Sequence, residues 1–325
     1  MKRYLVFLLA FFLLFNTAIG GTLYYGWYLF NNSAGPAGDT TLVLKRGTGL
    51  RAIARELQNA GVIENDLAFV LGVRISDKAT ALKAGEYAFT KGMTGADVMA
   101  VLVSGKTVPH FITIPEGLQS REIRTLLELS PNLSGKLTES LPEGSVLPET
   151  YHFSLRDSRN SVALKMKKDM KRALDTLWNN EISKGLIKSK QELLILASIV
   201  EKETGLASER AHVAGVFLNR MKKKMRLQSD PTVVYGVTQG KSELGRPISR
   251  KDLAAVNDYN TYTLKGLPIG PICNPGLDSL KAVLSAKKTK DIYFVADGKG
   301  GHVFARTLAE HNRNVRNWRK LQKKK

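Results

Sequence analysis

No charged residue occurs between Tyr4 and Phe30, and about 20 apolar residues are enough to cross the hydrocarbon core of a bilayer as a helix. Such a stretch cannot form the surface of a soluble domain, so the chain must open with a helix that water does not surround. Lys2 and Arg3 precede it, and the next basic residue is Lys45. That asymmetry predicts residues 1–3 as a cytoplasmic tip, 4–30 as one transmembrane helix, and the remainder as extracytoplasmic at the inner membrane. Tyr24, Tyr25, Trp27 and Tyr28 gather at the far end, where amphipathic rings favour the interface between lipid and water. The competing reading is a cleaved signal peptide, with Leu5 to Phe15 as its apolar region and small residues from Ala18 to Gly20 as the cut. Apolar residues continue past that cut from Ile19 to Phe30, which suits a retained anchor better.

Residues 31–40, NNSAGPAGDT, have the composition of a flexible connector. Thr41 to Leu44 is β-prone, Gly47 to Gly49 supplies a turn, and Leu50, Ile53, Ala54 and Leu57 recur at helical spacing. A similar unit returns at Phe111 to Ile114, with Gly117, Arg121, Ile123 and Leu127 at the spacing of Gly47, Arg51, Ile53 and Leu57. With 43% hydrophobic residues over 325 positions, the chain can build real cores. The expected fold is α+β: a small βα domain over 41–108 and a larger mixed α+β domain over 109–325. Small βα units behind a membrane linker resemble LysM-like modules, which implies a glycan-holding role; a plain spacer domain is the alternative.

Ser161 to Trp178 reads as an amphipathic helix with a basic face, and Gln191 to Lys202 as a buried one with Leu193, Leu196 and Val200 on a stripe. Asp291 to Ala296, the turn Asp297 to Gly301 and His302 to Ala305 read as a β-hairpin, which sets DGKGGH apart from a phosphate loop. A basic helix from Leu308 to Leu321 and a disordered tail, Lys323 to Lys325, close the chain. Cys273 has no partner for a disulfide and reads as a small buried hydrophobe. The five histidines have no metal-ligand spacing, so neither metal nor cofactor is expected. The formal charge of +20 calls for an anionic neighbour. Membrane lipid and wall polymers meet that need outside the cell; nucleic acid does not, and no nucleic-acid motif is present.

The segment LASIVEKET places Glu203 one turn beyond Val200, on the apolar stripe. An inward carboxyl is desolvated, which raises its pKa toward what a general acid near neutral pH requires. Glu201 follows Ala197 at the same spacing, so periodicity does not choose between them, and both could be surface carboxylates paired with Lys or Arg.

Four blocks, LASIVEKETGLASER, VFLNRMKKKMRLQSDPTVVYG, YNTYTLKGLPIGPICNPG and YFVADGKGGHVFA, together resemble the YceG-like endolytic murein transglycosylases, as do KAGEYAFT and the N-terminal anchor. The resemblance covers nearly the whole chain. It implies a lytic transglycosylase that cleaves the β-1,4 bond between N-acetylmuramic acid and N-acetylglucosamine in nascent peptidoglycan strands. The implied product carries a 1,6-anhydro end, and the implied role is terminating glycan elongation. The second Glu of EKE, Glu203, is the implied catalytic residue. The oxocarbenium-like transition state needs positioning, for which Gln228, Asp230 and Thr232 in LQSDPT and Tyr259, Asn260 and Tyr262 in YNTY are the candidate substrate-binding residues. Glu203-Thr204, Gln228 and Tyr259-Asn260 resemble, in order, groups of other lytic transglycosylases, and LPIGPICNPG, rich in Pro and Gly, reads as a rigid loop lining the cleft. Cell-wall synthases and division proteins are implied partners. Two other readings stay open: a membrane-anchored, non-catalytic peptidoglycan-binding scaffold, and a muramidase-type hydrolase pairing Glu203 with Glu201 or Asp230.

Overall fold

The computed structural model describes residues 2–155, 157–180 and 185–322. The expected disordered tail, Lys323 to Lys325, lies outside them. The fold is mixed α+β, as the sequence predicts. The chain divides into two compact units, one running to His110 and taking in Phe153–Leu155, the other comprising Phe111–His152 and the rest of the chain after Leu155.

The first unit begins with α1 (Lys2–Asn32), the one helix among the described residues long and apolar enough to span a membrane. It is followed by β1 (Thr40–Leu44), α2 (Leu50–Asn59), α3 (Asp66–Ile75), β2 (Gly85–Phe89) and α4 (Gly95–Ser104). β1 and β2 pair antiparallel, Thr40 opposite Phe89 and Leu44 opposite Gly85. Ile53, Ala54 and Leu57 of α2 are buried, as their spacing predicts, and they meet Phe69, Val73, Tyr87, Phe89, Val98 and Leu102 in one core.

Phe30 belongs to that core, with Trp27 packed against it, so the last turns of α1 are part of the domain rather than a free anchor end. A Cβ on Gly72 of α3 would lie 2.2 Å from the Phe30 ring, and one on Gly26 2.7 Å from Leu71. Small residues here let the two helices approach closely. Trp27 therefore packs inward rather than serving an interfacial aromatic belt, while Tyr24, Tyr25 and Tyr28 remain exposed. The connector over 31–40 is also ordered against the domain. Pro36 is buried, its carbonyl accepts from Gly92 N at 3.1 Å, and Asp39 Oδ1 accepts from Lys91 N at 3.1 Å. Composition alone reads this segment as flexible; the hydrogen bonds that fix it come from residues some fifty positions later.

β3 (Pro109–Thr113) and β4 (Thr150–Ser154) form a second two-stranded sheet. In the second unit, Gly117 turns the chain at φ +76°, as Gly47 does at φ +82° in the first. Both precede a helix, here α5 (Ser120–Leu129), with Ile123 and Leu127 buried. There follow α6 (Arg159–Asn180), α7 (Lys190–Glu203), α8 (Ala207–Lys222), α9 (Asp230–Thr238), α10 (Arg250–Ala254), α11 (Leu277–Leu284), the antiparallel hairpin β5 (Tyr293–Ala296) and β6 (His302–Ala305), and α12 (Leu308–Gln322). α7 is the axis of this unit. Ser189 caps its start, accepting from Glu192 N at 3.1 Å, and every residue from Leu193 to Val200 is buried. A helix apolar all round is stable only inside a core, and α8, α9 and α11 supply the surround. Cys273 is buried, its Sγ 3.3 Å from the Ser198 carbonyl.

Candidate active site

α7 leaves the core in its last turn, which carries Glu201, Lys202 and Glu203, and stops where Thr204 turns extended (φ −143°, ψ 128°). The two glutamates that sequence spacing could not separate go to different places. The Glu201 side chain is 5% exposed and 3.5 Å from Arg210 Nη2, and its Oε2 accepts from Gly276 N at 2.9 Å. It fixes the Pro-rich loop before α11 and is a structural ion pair.

Glu203 makes no ion pair among the described residues. It lines a cleft of about 530 Å³ with Arg220, Gln228, Asp230, Tyr262, His302 and Trp318. Ser229 Oγ donates to Glu203 Oε1 at 2.5 Å. The carboxyl is packed on most sides by protein and open on one to the cleft. Burial is the largest influence and pushes its pKa up to about 7; the Ser229 hydrogen bond opposes it, and the nearby Asp230 charge reinforces it. Its position at the carboxyl end of α7, where the helix dipole disfavours negative charge, acts in the same direction as burial. A carboxyl titrating near neutrality can both give and take a proton at working pH.

The segment Leu227 to Asp230 brings the other groups in. Gln228 adopts the left-handed region (φ 52°), an uncommon conformation for a residue with a side chain, and its Oε1 lies 3.4 Å from Arg220 Nη1. Arg220, on α8, is held by the carbonyls of Ile292 and Leu227 at 2.6 and 2.7 Å and sits over the Tyr293 ring. Asp230 opens α9 and accepts from the Tyr262 hydroxyl at 2.6 Å; burial pushes that phenol up, with the Asp230 carboxylate adding to it. From the hairpin, His302 meets Glu209 Oε2 through Nδ1 at 2.7 Å.

Of the residues singled out from sequence, Glu203, Gln228, Asp230 and Tyr262 come together in the cleft; Thr232, Tyr259 and Asn260 do not line it. Thr232 is buried and donates to the Ser229 carbonyl at 2.6 Å, with Thr261 Oγ1 2.8 Å away, so it holds the Ser229 loop from behind. Asn260 is buried and donates to the carbonyls of Asp252, Leu253 and Ala255, shaping the loop that carries Tyr262. The Tyr259 ring packs 4.7 Å from that of Tyr235. Sequence reasoning missed Ser229, Arg220, His302 and Trp318. Ser229 stands between two residues that were singled out, and His311, Val315 and Trp318 follow the spacing of a single helix face; those signals were available.

Residues 42–317 match the family described as YceG-like. A Bacillus subtilis protein named endolytic murein transglycosylase is 33% identical, over 91% of this chain and 89% of its own length. A Streptococcus pneumoniae protein of the same name is 30% identical over 94% of this chain, which spans 64% of that longer protein. The crystal structure of a YceG-like protein from Listeria monocytogenes superposes with a TM-score of 0.53 at 30% identity, over 85% of this chain and 99% of that one. With Glu203 and all of the cleft's lining but Trp318 inside the matched span, the chain belongs to the YceG-like family.

Proposed function

We propose that this protein is an endolytic murein transglycosylase that cuts the β-1,4 bond between N-acetylmuramic acid and N-acetylglucosamine in nascent strands, leaving 1,6-anhydro ends. The observation that carries the reading is Glu203: a carboxyl held near pH 7 by burial, hydrogen-bonded by Ser229, and on the wall of a cleft with no ion-pair partner among the described residues. Protonated, Glu203 gives its proton to the glycosidic oxygen as the bond to the muramyl anomeric carbon breaks. As a carboxylate it then takes the proton of the muramyl 6-hydroxyl as that oxygen bonds to the same carbon. The proton balance closes on one residue, and no water is consumed. Arg220, Gln228, Asp230 and Tyr262 are proposed to bind the sugars around it, and the buried Thr232 and Asn260 to act through the loops they hold.

A muramidase-type hydrolase remains the second reading because Asp230 is a further carboxylate on the same cleft. A non-catalytic scaffold is disfavoured, since a glutamate near pH 7 is a cost that a purely structural site would neutralise with a partner. We further propose that α1 anchors the chain once in the inner membrane with residues 1–3 inside. On this reading 41–108 is a LysM-like glycan-holding region and 109–325 the catalytic region, acting beside cell-wall synthases and division proteins to end strand elongation. The test is digestion of uncrosslinked nascent peptidoglycan by the full chain in detergent, with mass analysis of the ends. Anhydro ends support the reading; ends heavier by one water make the enzyme a hydrolase; no cleavage by wild type refutes both.

A further inference from the structure

A second cavity, of about 410 Å³, shares Asp230 with the Glu203 cleft and has Lys202, the neighbour of Glu203, on its wall. An enzyme that cuts within a strand must hold sugar on both sides of the broken bond, so its groove has to continue past the catalytic group in both directions. Two cavities meeting at Asp230 meet that requirement.

The second cavity differs from the first in chemistry. Pro231, Val234, Leu244 and Ile272 give it apolar walls, and Arg121 stands at the start of α5. The Arg121 Nε is enclosed and makes no hydrogen bond, and its guanidinium has no ion-pair partner among the described residues. By contrast Arg159 donates to five carbonyls, Arg220 donates to the carbonyls given above, and Arg210, whose Nε is likewise unmatched, is ion-paired to Glu116 and Glu201. The acids of the cavity are otherwise occupied or at its rim. Glu122 accepts from Gln119 N at 2.8 Å, Asp230 accepts from Tyr262, and Glu243 is exposed. An enclosed, unmatched Nε is costly, and a bidentate carboxylate is the acceptor that best matches guanidinium geometry. Among the described residues Lys202 Nζ, with three donors, is used once, on the Gly117 carbonyl at 3.3 Å.

We propose that this cavity is a subsite for the peptide branch of the murein strand, with Arg121 and Lys202 receiving a branch carboxylate and the apolar walls receiving its small side chains. The proposal rests on the transglycosylase reading above. The glycan backbone offers hydroxyl and acetamido groups; the peptide branch is the part that presents carboxylates beside methyl groups.

The test compares nascent strands with free branch carboxylates against strands in which those carboxylates are amidated, using the full chain in detergent. The readout is the ratio of kcat/KM for the two substrates, which cancels any fraction of misfolded protein. Wild type should prefer the carboxylate strand roughly tenfold or more, the size of a charge-assisted hydrogen bond. Arg121→Gln should erase the preference, and Arg121→Lys should keep part of it. The subsite is overturned if wild type shows no preference, if Arg121→Gln keeps it in full, or if both variants lose both substrates alike. If wild type cleaves neither strand, the transglycosylase reading fails and the subsite falls with it.

Discussion

Replacing Glu203 with glutamine should abolish strand cleavage while making the second unit more stable, and the gain should depend on pH. Glutamine has the same shape and can still accept from Ser229, so the substitution removes chiefly the titration. In the folded protein the carboxyl titrates near about 7, against 4.5 for an ordinary glutamate. The folded state thus keeps its proton where the unfolded chain has lost it, and stability falls as pH rises from about 4.5 through about 7. The full interval corresponds to about 3 kcal/mol at pH 8, at 1.36 kcal/mol per pH unit. At pH 5 less than about 1 kcal/mol of that penalty has developed, because the unfolded glutamate is only partly ionised. Glu203→Gln should therefore raise Tm on the order of 6–12 °C at pH 8, at 2–4 °C per kcal/mol for a unit of this size, and only slightly at pH 5. Differential scanning fluorimetry at the two pH values, beside the strand-digestion assay, measures both effects. A variant that still cleaves, or whose stability gain is the same at pH 5 and pH 8, would refute the assignment of a buried, functional carboxyl.

Ser229→Ala removes a hydrogen bond that favours the ionised form, so the alkaline limb of the rate profile should move up by about one pH unit; a limb that stays put or moves down counts against Ser229 as the partner. Glu201→Ala should cost about 3 kcal/mol by leaving Arg210 partly unpaired, seen in chemical denaturation, in contrast to the gain at Glu203. Tyr262→Phe loses the bond that orients Asp230 and should lower kcat/KM roughly tenfold with little change in Tm. Gly72→Ala places a methyl group inside the Phe30 ring and should destabilise the first unit by at least about 1–3 kcal/mol, read as faster proteolysis near residues 31–40.

Local periodicity made the framework legible. The uncharged stretch of α1 declares itself by its length, and the apolar stripe of α7, the hairpin turn and the buried face of α2 each do so within a dozen residues. What the sequence left open was settled by partners remote along the chain. Glu201 and Glu203 lie on the same last turn of one helix, and only Gly276 and Arg210 on one side and Ser229 on the other separate them. The same holds for Thr232 and Asn260, whose hydroxyl and amide read as ligands for sugar yet are used up on backbone carbonyls of their own loops. For residues 31–40, Gly, Ser and Asn content is a statement about backbone freedom in isolation, and contacts with 91–93 override it.

The seating of Phe30 between Gly72 and Gly95 has a mechanical consequence. Tyr4 to Tyr25 is the part of α1 clear of the domain, about 33 Å at 1.5 Å per residue, close to the roughly 30 Å of a hydrocarbon core. A helix in a thinner bilayer relieves the mismatch by leaning over. With no slack between helix and domain, an α1 that spans a bilayer would make the first unit lean with it, as a mast carries its crow's nest, so local membrane thickness would be translated into the angle of that unit to the membrane.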